Sequence, residues 1–102
     1  MHQLLVLYPE PADRAAFEQY YRTRHLPLAA RLPRVRASRF SLALDGAASP
    51  YVAVFEAEFD SAEDFAAAMA SPEGQAVEAD VPNYAPPGTV VLDFPVERLA
   101  GG

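Results

Sequence analysis

Apolar positions recur at two different periods along this chain, and the changes of period mark its elements. His2 to Tyr8 is short, apolar and free of helix breakers, which predicts a strand. Tyr51 to Phe59 alternates strictly: Tyr51, Ala53, Phe55, Ala57 and Phe59 share one face, and Val52, Val54, Glu56 and Glu58 the other. Val35 to Leu44 alternates too, with Arg36, Ser38, Phe40, Leu42 and Leu44 opposite Val35, Ala37, Arg39, Ser41 and Ala43. Thr89 to Val96 reads as a last strand. Two helical regions lie between. Asp13 is a good N-cap for a helix starting at Arg14, on which Phe17, Tyr21 and His25 form an i, i+4 row that Leu28 continues. Pro27 has no N–H for the Thr23 carbonyl and pushes Leu26 towards extended geometry. The helix is therefore expected to end near Arg24 or His25, with Leu28 to Leu32 as a short second segment. Ser61 with Asp64 resembles a capping box ahead of the alanine-rich "AEDFAAAMA", and Ser71-Pro72 restarts the helix, which runs to about Asp80. "DGAASP" (Asp45 to Pro50) and "VPNYAPPG" (Val81 to Gly88) read as loops, and "LAGG" as a loose tail.

The order β-α-β-β-α-β is the split β-α-β, ferredoxin-like pattern of an α+β fold. It predicts a four-stranded antiparallel sheet with both helices on one face, in one domain spanning residues 1–102 with its core at about 2–97. The opposite face cannot simply be polar, because both faces of the first strand (Leu4, Val6 and Tyr8; Leu5 and Leu7) are apolar. A second copy of the same sheet would cover it, so a homodimer through the sheet faces is expected.

Composition narrows the function classes. The formal net charge is −6, and nucleic acid is not an expected partner. All basic residues are arginine, and six of them (Arg22, Arg24, Arg31, Arg34, Arg36 and Arg39) fall between the first helix and the second strand. These read as a solvated face with ion pairs to the acidic half, or as a local anion-binding patch. No apolar run approaches the ~20 residues of a membrane span, so no membrane partner is expected. The opening residues lack the pattern of a secretory signal, and with no cysteine present the chain fits a cytoplasmic setting. His2 and His25 are the only histidines and form no i, i+3 or i, i+4 pair with a carboxylate, so no metal site is expected. No glycine-rich phosphate loop follows a strand, and no cofactor is expected.

The candidate chemistry gathers at the two helix ends. His25 is predicted at a helix C-terminus, beside carbonyls without partners. There it either donates to one of them and pins the bend, or serves as a general acid or base in a pocket. Asp80-Val81-Pro82 repeats the spacing of His25-Leu26-Pro27, and Asn83 and Tyr84 follow at once. Aspartate can orient an imidazole, or it can be a solvated or capping carboxylate. In this topology the helices run antiparallel and their C-terminal ends lie apart, so Asp80 approaches His25 only if the segment restarted at Pro72 doubles back. The tyrosines, Tyr8, Tyr20, Tyr21, Tyr51 and Tyr84, either pack at element margins or line a pocket suited to an apolar or aromatic ligand.

"LLVLYP" (Leu4 to Pro9), Phe17, "YYRTRHLPL" (Tyr20 to Leu28) and "ADVPNY" (Ala79 to Tyr84) together resemble the EthD family, named from a gene cluster for ethyl tert-butyl ether degradation. The family belongs to the dimeric α+β barrel group, and the likeness covers about residues 2–97. Glu18 stands where aspartate is frequent, and Ala85 where threonine is common. The resemblance implies a homodimer with facing sheets and a pocket between sheet and helices in each subunit. His25, Tyr21, Asp80, Asn83 and Tyr84 match motif positions. Related dimeric barrels include cofactor-free monooxygenases, lactone isomerases and polyketide cyclases. The expectation is a cofactor-free enzyme or enzyme accessory acting on a small apolar or aromatic oxygenated compound. His25 and Asp80 are its catalytic candidates, with His25 moving the proton; Tyr8, Tyr20, Tyr21, Asn83 and Tyr84 are its substrate-binding candidates. A non-catalytic ligand-binding or carrier dimer is the alternative, and a purely structural His25 predicts no cavity beside it.

Overall fold

Four strands and a set of helical segments succeed one another in the computed structural model, which describes residues 1–46 and 48–100. The order is β1 (His2–Pro9), α1 (Arg14–Tyr20), a π-helical turn (Tyr21–His25), α2 (Leu26–Ala29), β2 (Val35–Ser41), β3 (Tyr51–Phe59), α3 (Ala62–Ala70), α4 (Pro72–Tyr84) and β4 (Val90–Pro95). The strands form one antiparallel sheet in the order β2-β3-β1-β4, so the ferredoxin-like α+β expectation holds. Ala47 of the expected Asp45–Pro50 loop and Gly101 and Gly102 of the expected tail lie outside the described residues.

Local chemistry explains most boundaries. Asp13, Ser61 and Ser71 cap their helices, each side chain accepting a backbone N–H three residues on at 3.0 Å. On β3, Ala53, Phe55, Ala57 and Phe59 are buried beneath the helices, with Leu4 and Tyr8 of β1 beside them. β2 departs from the expected alternation. Val35 opposes Phe59 but Ala37 opposes Glu58, so Arg36 is an extra residue in the strand. This bulge turns Val35 into the helix-side core, while Ala37 and Arg39 keep to the other face. The strand stops at Ser41 rather than Leu44.

Two expected helix ends are overturned. Leu26 is α-helical (φ −58°, ψ −38°) rather than extended, and its N–H bonds the Tyr21 carbonyl five residues back. One widened turn opens space beneath the Pro27 ring, and Pro27 falls in the first turn of α2, where a missing N–H is tolerated. The helix therefore runs on to Ala29 instead of ending near Arg24 or His25, and Leu26–Ala29 replaces the expected Leu28–Leu32 segment. The wide turn also absorbs the ~40° drift that four residues of α-helix accumulate. Phe17, Tyr21, His25 and Ala29 thereby form one buried row, with Ala29 in the place expected of Leu28. Likewise α4 passes through Pro82 to Tyr84, where a loop was expected from Val81. Pro82 and Glu78 are both exposed, so water can take the carbonyl that the proline leaves unpaired.

Ser71 is the corner between α3 and α4. After it, α4 lies antiparallel beside the first helix: Pro72 and Glu73 line a cleft with Leu28 and Arg31, and at the other end Asn83 and Tyr84 meet Tyr20. Gly74 makes the corner possible, since a Cβ there would stand 2.6 Å from the Met69 Cα and closer still to the Ala68 carbonyl oxygen. On the other sheet face Leu5, Leu7, Val52 and Val54 form an apolar band continued on β4 by Leu92 (46% exposed) and Phe94 (37% exposed).

Candidate functional site

The π-helical turn and the last turns of α4 bring His25 and Asp80 together. His25 is 4% exposed, and its Nδ1 lies 2.9 Å from Asp80 Oδ2. The other carboxylate oxygen accepts from the Tyr20 hydroxyl at 2.6 Å and from Asn83 Nδ2 at 3.0 Å. Asp80 (8% exposed) is occluded but shallow, resting beneath Tyr20. The segment restarted at Pro72 does double back, which meets the condition for Asp80 to approach His25. Because the first helix does not stop at His25, the residue lies mid-helix, where the returning α4 passes. For the same reason His25 gives its proton to no freed carbonyl, and Asp80 is neither solvated nor a cap.

Electrostatics set the proton positions. Burial lowers the His25 pKa, and the hydrogen bond and charge of Asp80 offset this only in part. Burial alone would raise Asp80, but hydrogen bonds from Tyr20, Asn83 and His25 together hold it below the usual carboxylate range. The pair at neutral pH is a carboxylate accepting from the Nδ1–H of a neutral imidazole. Among the described residues no hydrogen bond engages Nε2, which keeps a lone pair to offer.

His25 lines a cavity of about 90 Å³ between sheet and helices, together with Tyr8, Tyr84, Leu4, Val6 and Phe55. Glu78, exposed at its edge, is the one carboxylate among the lining residues. The Tyr8 and Tyr84 hydroxyls lie 2.7 Å apart, and the Tyr84 ring centroid is 4.4 Å from that of His25. Burial is the main cause that raises the pKa of both phenols, so they remain protonated donors. Tyr21 stacks on His25 at 5.5 Å but does not line the cavity. Its fully buried hydroxyl stands near Tyr8 without a hydrogen bond among the described residues.

The sequence-predicted set therefore divides. His25, Tyr8 and Tyr84 share the inner cavity, Tyr21 backs the imidazole, and Tyr20 and Asn83 face outward while holding Asp80. Leu4 and Val6 are legible as one face of β1 and Phe55 as part of one face of β3, but nothing in their pattern marks them as cavity wall. No group of three or more His, Cys, Asp or Glu side chains is placed to hold a metal among the described residues.

Stability should report the imidazole. In the fold its pKa lies below the ordinary value, which the unfolded chain regains at about 6.5. Below that point the unfolded state takes up a proton that the folded state resists. Stability is then full above about pH 6.5 and falls as the pH drops, by at most ~1.4 kcal/mol per pH unit. The lowered Asp80 adds a loss of the same sign as pH falls through the carboxylate range. Urea melts between about pH 5.5 and 7.5 should show the first loss in the parent protein and not in His25→Asn; equal slopes would exclude the imidazole as its source.

Comparison with known proteins places this chain in a family. The EthD domain matches residues 9–88. A Rhodococcus erythropolis protein, described as an uncharacterised 11.0 kDa protein in the thcB-thcC intergenic region, is 38% identical over 96 residues, covering 90% of this chain and 91% of its own. The crystal structure of an ethyl tert-butyl ether degradation (EthD) family protein from Bacillus halodurans superposes with a TM-score of 0.88 at 26% identity, over 95% of this chain and 99% of that one. A dimeric ferredoxin-like protein of unknown function from Thermobifida fusca, 19% identical with a TM-score of 0.71 over 93% of this chain and 89% of that one, shares the fold alone. With its domain match over most of its length, this chain belongs to the EthD family.

Proposed function

We propose that the protein is a cofactor-free proton-transfer enzyme for a small, neutral, apolar or aromatic oxygenated compound, working in catabolism in the cytoplasm as a homodimer of single-domain subunits. The observation that carries this reading is an imidazole held by a carboxylate at Nδ1 and lining an apolar cavity, with no hydrogen bond to Nε2 among the described residues. In such a site Nε2 takes a proton from a C–H next to a carbonyl. The C–H bond breaks, the N–H bond forms, and the electron pair moves to the carbonyl oxygen. Asp80 steadies the imidazolium, and whichever of the Tyr8 and Tyr84 hydroxyls is not donating to the other donates to the new oxyanion. Return of the proton to a different atom completes an isomerisation without any oxidant. A volume of about 90 Å³ has room for roughly three water-sized groups, so it suits the reacting part of a substrate rather than a long chain.

The test begins with a thermal-shift screen of neutral oxygenated compounds, followed by conversion assays of the binders. His25→Ala should lower turnover by about 10²–10⁴-fold. Less than about a tenfold fall, or binding that His25→Ala weakens with no compound ever converted, would replace catalysis by a carrier role.

The dimer reading rests on the apolar band of the free sheet face, and the Thermobifida fusca neighbour is described as dimeric. Light scattering at micromolar concentration should give twice the 11.1 kDa chain mass, and Leu92→Glu should halve it. A stable monomer in the parent protein would remove the assembly.

A further inference from the structure

Tyr84 lines two hollows. Besides the inner cavity there is an open cleft of about 390 Å³ between the start of α1 and the end of α4, lined by Phe17, Tyr20, Asn83, Tyr84, Pro86 and Pro87. Proton transfer at His25 makes no use of this cleft, yet its lining is tied to the imidazole. Tyr20 and Asn83 both donate to Asp80 Oδ1, and Asp80 Oδ2 holds His25 Nδ1. One carboxylate thus serves the cleft on one side and the inner cavity on the other.

We propose that the outer cleft binds a neutral single-ring phenol or aromatic alcohol, and that its occupancy is transmitted to His25 through Tyr20, Asn83 and Asp80. Four observations select this occupant. The volume lies within the range of small-molecule sites. Three aromatic rings and the proline faces offer flat apolar surface suited to a planar ring. The one charged residue lining the cleft is Asp13, whose side chain caps α1, and Asp80 stands behind Tyr20, so an anion is repelled. Asn83 gives its Nδ2 to Asp80, which leaves its amide oxygen as an acceptor that no hydrogen bond engages among the described residues; a ligand hydroxyl can donate to it. A ligand that moves Asn83 or Tyr20 changes the donors on Asp80, and with them the bond to His25. The inference rests on these hydrogen bonds and does not require His25 to be catalytic.

Phenol is a suitable probe, and His25 is a natural reporter because His2 is the only other histidine. NMR titration of the intact protein should show a saturable shift of the His25 Nδ1–H signal, assigned with His2→Gln. Ala16→Leu fills the cleft from an exposed position and should weaken phenol at least about tenfold without changing the circular dichroism; Ala12→Leu, in the same wall, serves if that variant is unstable. At saturating phenol, Tyr20→Phe should lose more than about half of the His25 shift. Benzoate should bind at least about tenfold more weakly than phenol. A full response in both filled variants would put phenol in the inner cavity and sink the proposal, as would the absence of a saturable shift. Equal benzoate binding would remove the charge argument, and an undiminished shift in Tyr20→Phe would break the relay. None of these failures touches the His25→Ala turnover test, and loss of turnover would not rescue the cleft.

Discussion

Replacing Gly74 by alanine is expected to cost about 3 kcal/mol or more. A new Cβ would stand 2.6 Å from both the Met69 Cα and the Met69 carbonyl oxygen, and closer to the Ala68 carbonyl. These are backbone atoms, which cannot swing aside as the end of a side chain does. Gly74 is also the residue whose N–H bonds the Ser71 cap at 3.0 Å, so displacing it strains the cap of α4 as well. Alanine ordinarily favours helix over glycine by about 1 kcal/mol, so destabilisation here would have to overcome that gain. Thermal melts should show a fall of more than about 10 °C, given the 4–8 °C per kcal/mol expected for a chain near this length. A Tm unchanged or raised would mean that the α3–α4 corner yields easily and that its geometry is not what aims Asp80.

Removing the Asp80 carboxylate is expected to have the second large effect, and two variants separate its parts. Asp80→Ala strips the acceptor from the buried His25 Nδ1–H and from Tyr20 and Asn83. Tyr20 and Asn83 can turn to water, whereas His25 cannot, so a loss of about 2–4 kcal/mol is expected. Asp80→Asn keeps the shape and an acceptor oxygen, and should cost about 1 kcal/mol or less. Its effect should appear in chemistry instead. Without the charge nothing steadies an imidazolium, and the amide can present N–H to Nδ1 and leave the proton on Nε2, the wrong side for a base. Turnover is expected to fall by about 10²–10⁴-fold, with KM changed far less. Such a split identifies Asp80 as a positioning residue acting through His25. A change in KM alone, with kcat intact, would make Asp80 part of ligand binding and remove it from the proton path.

Much of this is legible in the sequence. Strict alternation from Tyr51 to Phe59 identified the central strand and its buried face, and Asp13, Ser61 and Ser71 marked three helix starts through their ability to accept N–H groups. The prolines misled for a specific reason. The penalty for proline is softened at each position: Pro27 follows a widened turn, and Pro82, although inside α4, sits on its exposed last turns, where water can take the freed carbonyl. The Asp80–His25 pair is legible in the sequence as chemistry, and its geometry only as a condition, that the segment restarted at Pro72 doubles back. Its 55-residue separation closes only because α4 turns at Ser71 and runs back along the first helix, and a local pattern carries no information about that direction. The bulge at Arg36 was likewise hidden, since one extra residue alters pairing without altering composition.

The widened turn from Tyr21 to His25 has one more consequence. A π-turn is an α-helix carrying one surplus residue, and the wide turn takes that residue up, so the flanks keep nearly the relation of a regular helix. Loss of one residue from α1 would turn everything after it by about 100°. Loss of one residue from the wide turn would instead leave ordinary α-helix, with both flanks close to their present orientation. The turn is therefore a place where this helix tolerates a change of length while the sheet and the α3–α4 corner stay as they are.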